Sequence, residues 1–166
     1  MRLVASAFLV ALVLGGCRSA PTAAFDVQAA EYINTQGPSR IDGHAFYRSE
    51  GGTVINAAGE YAYLIPVTQY AEQRIYQVFG KGKYIRAKFL PWDDADPQFK
   101  KYMRSTKAES TGRFSFDKVA PGEYYVAATV TWFPLNHFLP EGAAIYERVS
   151  VTGKETEPVK VIVSGK

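Results

Sequence analysis

Short runs in which apolar and polar residues alternate dominate the chain after residue 41, and this period of two is typical of strands in a sheet. The runs are separated by turn residues such as glycine, proline and asparagine. In the longest run every second residue from Tyr124 to Trp132 lies on one face, and Tyr125 begins the other face. The predicted strands are residues 41–48, 60–67, 112–117, 124–133, 145–151 and 159–163, and the last two are expected to form a closing pair around Gly153. Several short strands divided by turns favour a β-sandwich.

The period changes between residues 67 and 104, where we expect a partly helical insertion. A first helix is indicated by apolar residues at helical spacing, namely Ala71, Ile75, Val78 and Phe79. Thr68 is suited to cap its beginning and Gly80 its end. Asp96 followed by Pro97 predicts the start of a second, short helix.

The amino terminus has the pattern of an export signal. Arg2 precedes an apolar stretch, residues 3–14, which is too short to span a bilayer as a mature helix. The sequence Leu14-Gly15-Gly16-Cys17 resembles the lipobox of bacterial lipoproteins.

That resemblance implies removal of residues 1–16 and a lipid on Cys17 that attaches the chain to the membrane. Residues 17–38 then form the lipidated N-terminus and a tether, with a short helix between residues 24 and 33. In bacterial lipoproteins an aspartate after the cysteine tends to retain the protein in the inner membrane. Arg18 in that position favours the outer membrane of a cell with two membranes.

Composition limits the classes of partner. The formal net charge of +3 is too small to indicate a nucleic-acid-binding protein. Basic residues do concentrate in the middle of the chain, from Lys81 to Arg104. They fit either a solvated face or a surface that meets anionic head groups.

Residues 111–128 contain the pattern Gly-x-Phe-x-Phe-x-x-Val-x-Pro-Gly-x-Tyr-x-Val-x-Ala. This resembles the signature hairpin of carboxypeptidase regulatory-like domains. The resemblance implies an all-β, Greek-key, prealbumin-like β-sandwich over residues 39–166, and a non-catalytic module that stabilises, spaces or binds. It implies a turn at Pro121-Gly122 that folds the second strand back on the first. The side chains expected in one core are Phe114, Phe116, Val119, Tyr124 and Val126.

Few residues have the pattern of a catalytic or metal site. The two histidines, His44 and His137, are far apart and lack a zinc-binding motif. The acidic cluster Asp93, Asp94 and Asp96 lacks the regular spacing of a calcium loop, and Asp96 is better used as a helix cap. We expect no cofactor and no metal; a calcium site and a hydrolase that uses this cluster stay open as alternatives.

A binding surface is expected on the insertion and the loops, because function tends to lie on the loops of a rigid scaffold. Trp92 and Phe138 lie beside loop prolines and are expected to be exposed, whereas Trp132 is expected in the core. The candidate binding residues are Tyr70, Lys83, Arg86, Trp92 and Phe138. The predicted function is a non-catalytic, lipid-anchored envelope lipoprotein that binds an envelope protein or glycan. The alternative is a structural subunit of a larger envelope assembly.

Overall fold

The protein is a β-sandwich with helices added on one side. The computed structural model describes residues 22–92, 94–135 and 138–165. The predicted fold class, an all-β sandwich with a partly helical insertion, is confirmed. The strands are β1 (Gln36–Arg48), β2 (Val54–Asn56), β3 (Tyr61–Pro66), β4 (Tyr84–Ile85), β5 (Arg104–Lys107), β6 (Arg113–Val119), β7 (Gly122–Trp132), β8 (Glu141–Val151) and β9 (Val159–Ser164).

The strands form two sheets. In the four-stranded sheet, β1 pairs antiparallel with β2 and β6 and parallel with β9. The five-stranded sheet is antiparallel throughout, in the order β4-β8-β7-β3-β5. Strand β7 lies at its centre and pairs with β8 along its whole length.

The main core lies between the two sheets. Alternation along each strand decides which side chains enter it, so Leu64 and Val126 point inward while Tyr63 and Tyr125 point outward. The Tyr124 hydroxyl donates to the carbonyl oxygen of Ala120 at 2.8 Å. Burial raises the pKa of Tyr124. All the side chains expected in one core are found there: Phe114, Phe116, Val119, Tyr124 and Val126.

The predicted pairing of β6 and β7 in a hairpin is wrong. β6 belongs to the four-stranded sheet and β7 to the five-stranded one, so the turn at Pro121-Gly122 is an arch that crosses between the sheets. The same applies to β8 and β9, which were expected to pair around Gly153. Two strands that face each other across a core have the same apolar alternation as two strands paired edge to edge, and this ambiguity explains both errors.

A helical layer, residues 69–80 and 86–101, covers the outer face of the five-stranded sheet. It contains α2 (Gln69–Phe79) and α3 (Pro97–Lys101). The predicted caps are confirmed: Thr68 accepts from the Ala71 amide at 3.1 Å, and Asp96 accepts from the Gln98 amide at 2.8 Å. Gly80 ends α2 with a φ of 60°. Here a second core forms, which includes Ile65, Ile75, Phe79, Phe99 and Ala127.

The segment before β1 packs on the sandwich. It forms α1 (Val27–Ala30) and a 3-10 turn (Glu31–Asn34), in agreement with the short helix expected there. Ile33 is buried in the main core. The part of the expected tether from residue 25 to 38 is therefore a packed element, because its apolar side chains find partners on the sandwich. Residues 1–21, with the lipobox and Cys17, lie outside the described residues. No helix of the described part is long and apolar enough to cross a membrane.

Candidate functional site

An aromatic groove lies beside β3, where the helical layer leaves part of the five-stranded sheet uncovered. It consists of two adjoining cavities of about 300 Å³ and 240 Å³. Both are lined by Tyr63, Leu90 and Trp92, which therefore lie at the boundary between the two cavities. The first cavity is completed by Lys100, Met103 and Ser105, and the second by Glu60, Tyr61, Lys88, Phe89 and Thr129.

The sheet provides the floor of the groove. Tyr61 and Tyr63 are two residues apart on β3, so both point away from the main core. Tyr63 lies opposite Ser105 of β5 in the register. Thr129 reaches the groove from β7 on the other side of β3. Side chains from three neighbouring strands, β5, β3 and β7, therefore lie together on one patch of the sheet.

The segment 88–92 provides a wall, and a buried arginine holds it in place. Arg74 of α2 is only 4% exposed, and its guanidinium donates to the carbonyl oxygen of Pro91 at 2.9 Å. It also forms an ion pair with Asp94. Trp92 packs edge-on against Phe99 of α3, with ring centroids 5.5 Å apart. The wall is a fixed part of the helical layer and not a free loop.

Aromatic rings in the groove are open to solvent. Tyr61 is 51% exposed and Phe89 is 60% exposed. The ring centroids of Tyr61 and Tyr63 are 6.4 Å apart. Exposed rings beside a concave, partly polar surface are a feature of ligand sites.

Polar groups stand beside these rings in fixed positions. The Glu60 carboxylate accepts from the hydroxyl of Thr129 at 3.1 Å and from that of Thr131 at 2.5 Å. Two hydroxyls hold the carboxylate in one orientation, so its remaining acceptor sites have a defined direction. The Trp92 indole N–H is buried and has no hydrogen-bond partner among residues 22–92, 94–135 and 138–165.

Two of the candidate binding residues are buried, contrary to expectation. Tyr70 is 5% exposed because it lies on the inner face of α2, where the centroid of its ring is 5.2 Å from that of Phe99. Its hydroxyl accepts from the Asp96 amide at 2.7 Å. Trp92 is 8% exposed because α3 covers its ring, although it does line the groove. Tyr70 is therefore a structural residue.

The other three candidates are exposed but do not line the groove. Lys83 forms an ion pair with Glu147 at 2.6 Å, and Arg86 forms one with Glu141. Phe138 is 99% exposed. A binding role for these three residues stays a prediction.

The described members of the acidic cluster have structural partners. Asp94 pairs with Arg74 and Asp96 caps α3. Asp93 and His137 lie outside the described residues. His44 makes a 3.1 Å hydrogen bond with Asn56. Within the described ranges no three residues of metal-ligating type are grouped.

A charged concavity of about 390 Å³ lies on the outer face of the four-stranded sheet. Three of the charged side chains on its lining are paired with one another: Arg40 with Asp42 at 2.6 Å and Lys160 with Asp42 at 2.9 Å. Hydrogen bonds from Lys160 and then Arg40 hold the pKa of Asp42 below its usual value. This concavity is larger than either cavity of the groove, but Phe114, the phenylalanine on its lining, is only 6% exposed and offers a ligand little ring surface.

No family model and no curated protein matches the chain. The fold is similar to that of a crystal structure from Pseudomonas aeruginosa, described as a proposed carbohydrate-binding protein. The TM-score is 0.67 at 24% sequence identity, and the match covers 84% of this chain and 97% of the other. This similarity shows that the two proteins share a fold.

Proposed function

We propose that this protein is a non-catalytic carbohydrate-binding module and that the aromatic groove is its binding site. The observation that carries the proposal is the exposure of Tyr61 and Phe89 next to the fixed carboxylate of Glu60. The carbohydrate-binding description of the Pseudomonas aeruginosa protein with the same fold supports it.

The chemistry of sugars explains why this combination suits them. A pyranose ring has an apolar face of C–H groups, which packs against an aromatic ring, and a rim of hydroxyls, which needs hydrogen-bond partners. Tyr61 and Phe89 offer ring surfaces, and the carboxylate of Glu60 can accept from two neighbouring hydroxyls. No group in this arrangement has to act as a nucleophile or a base, so binding is the function that it supports best.

We also propose that the module is held in the cell envelope by a lipid on Cys17, in the outer membrane where the cell has two. This rests on the sequence Leu14-Gly15-Gly16-Cys17 and on Arg18. A lipid-anchored module that binds carbohydrate would meet the glycans of the envelope itself.

A second candidate function is docking to an envelope protein. The loop between β7 and β8 exposes four apolar side chains to an unusual degree: Phe133 at 73%, Leu135 at 92%, Phe138 at 99% and Leu139 at 75%. Exposed apolar residues that are close together often mark an interaction site. This candidate predicts no binding of oligosaccharides, so the array screen described below separates it from the first.

The test compares two exposed tyrosines. Tyr61→Ala removes a ring from the groove, whereas Tyr76→Ala removes a similarly exposed ring from α2, outside the groove. An aromatic contact worth about 1 kcal/mol corresponds to a roughly fivefold weaker Kd. We expect Tyr61→Ala to weaken binding by at least that factor and Tyr76→Ala to leave it unchanged.

The measurement is a screen of the mature chain on an oligosaccharide array, followed by calorimetric titration of the glycans that bind. Binding of no oligosaccharide would contradict the proposal. Equal affinities of the two variants would show that the groove is not the site.

A further inference from the structure

The two cavities of the groove differ in charge, and this difference points to a class of glycan. The cavity of about 300 Å³ contains one cationic side chain, Lys100, and no carboxylate among its lining residues. The cavity of about 240 Å³ contains Glu60 and Lys88, whose charges are opposite. We infer, on the basis of the proposed function, that the groove binds an acidic oligosaccharide whose anionic group lies in the Lys100 cavity.

The Lys100 cavity has donors without a matching acceptor. Lys100 forms no ion pair within the described part of the chain. The Trp92 indole N–H has no partner in the same part of the molecule either, but less than 1 Å² of its nitrogen is exposed, so the accessible cationic donor of the cavity is Lys100. The Ser105 hydroxyl is a further donor on the lining. An anion is the ligand that can accept from several donors at once.

The apolar surroundings of these donors strengthen their interaction with an anion. Leu90, Trp92 and Met103 form much of the lining, so the cavity has apolar walls beside the ammonium group of Lys100. A charge interaction is stronger next to apolar walls than in open water. One charge-assisted hydrogen bond here therefore contributes more than it would on an open surface.

The Glu60 cavity determines the direction in which the oligosaccharide binds. The Glu60 carboxylate would repel an anion but accepts from sugar hydroxyls, and Lys88 can donate to a hydroxyl oxygen. Since Tyr63, Leu90 and Trp92 line both cavities, the two spaces are neighbours and fit adjacent sugar units. The acidic sugar then occupies the Lys100 cavity, and a neutral sugar occupies the Glu60 cavity.

The test uses oligosaccharides in matched pairs. One set contains uronate oligosaccharides and their carboxyl-reduced forms, and the other contains phosphorylated oligosaccharides and their dephosphorylated forms. The variants are Lys100→Gln and the control Lys101→Gln. Both lysines are exposed in the last turn of α3, but only Lys100 lines the cavity. The two variants thus lose the same charge from the same helix.

We expect the unmodified chain to bind at least one acidic member about tenfold more tightly than its neutral partner, because one charge-assisted hydrogen bond lowers the Kd by about that factor. Lys100→Gln should remove this preference and leave binding of the neutral form unchanged, while Lys101→Gln should retain it. The set in which the preference appears identifies the anion as a carboxylate or a phosphate.

Three results would overturn the inference. Equal binding of acidic and neutral members would do so while the proposed carbohydrate function stands. An equal loss in Lys100→Gln and Lys101→Gln would show a general effect of positive charge and no specific cavity. Binding of no glycan in either set would overturn the inference, and the array screen described above decides separately whether the proposed function falls with it.

Discussion

At the scale of single residues, Glu155 shows how the loop between β8 and β9 is fixed to the sandwich. One oxygen of its carboxylate accepts from the Ser39 hydroxyl at 2.6 Å. The other accepts from the Thr152 amide at 2.5 Å and the Thr152 hydroxyl at 2.7 Å. These hydrogen bonds, that of Ser39 first, lower the pKa of Glu155 from 4.5 to about 2.

This lowered pKa predicts a pH dependence of stability. Because the folded state holds the charged form, the stabilisation is fully present above a pH of about 4.5 and is lost as the pH falls towards 2. Glu155→Gln should therefore melt at a lower temperature than the unmodified chain at pH 7. This gap in melting temperature should close as the pH falls from about 4.5 to about 2. Glu157→Gln, a change at an exposed position in the same loop, is the control for thermal melts followed by circular dichroism. A gap that stays constant down to pH 2 would contradict the assignment.

The residues of the groove were harder to predict than those of the core. Alternation identified the core side chains, because burial of an apolar face depends on local sequence. Glu60 and its partner Thr129, in contrast, are 69 positions apart. Pro91 beside Trp92 favours an exposed ring, but Phe99 of α3 covers it. A site assembled from four distant segments leaves no local pattern by which it can be recognised.

At the scale of elements, strands and helices follow from the sequence more directly than the connections between them. The caps Thr68 and Asp96 fix where α2 and α3 begin, and both were predictable because a cap is a local interaction. Whether the turn at Pro121-Gly122 joins paired strands or crosses between sheets depends on packing with residues that are distant in sequence, and Tyr32 is one residue that contacts the arch. The Tyr32 hydroxyl donates to the carbonyl oxygen of Glu123 at 2.5 Å and fixes the arch to the segment before β1.

This packing predicts the effect of adding one methyl group to the arch. A Cβ at residue 122 would lie 2.5 Å from the ring of Tyr32, so Gly122→Ala must displace that ring. We expect a loss of about 1 to 3 kcal/mol in the free energy of unfolding, the usual cost of overpacking. Gly51→Ala is the control, since the nearest atom to its added Cβ is 3.9 Å away, and we expect less than about 0.5 kcal/mol there. Urea unfolding measures both, and equal effects would contradict this account of the arch.

At the scale of the whole molecule, the layers and the proposed anchor together define an orientation. The backbone amides of Thr22 and Ala23 donate to the Gln73 side chain of α2 at 2.9 Å and 3.0 Å. Five residue steps separate Cys17 from Thr22 and span at most about 18 Å when fully extended. With a lipid on Cys17, the helical layer would therefore face the bilayer, and the four-stranded sheet would lie about 20 Å further out, at about 10 Å per layer.

The last prediction tests this orientation and the anchor together. A fluorophore on Gln69→Cys, in α2, should transfer energy to an acceptor in the bilayer more efficiently than one on Lys160→Cys, on the outer face of the four-stranded sheet. The acylated Cys17 has no free thiol, so only the introduced cysteine reacts with the dye. Adding Cys17→Ala should abolish both incorporation of labelled fatty acid and energy transfer, because the lipid is the proposed attachment. Transfer that is equal at the two positions would contradict the orientation, and a normally cleaved, unlipidated product with Cys17 intact would contradict the anchor.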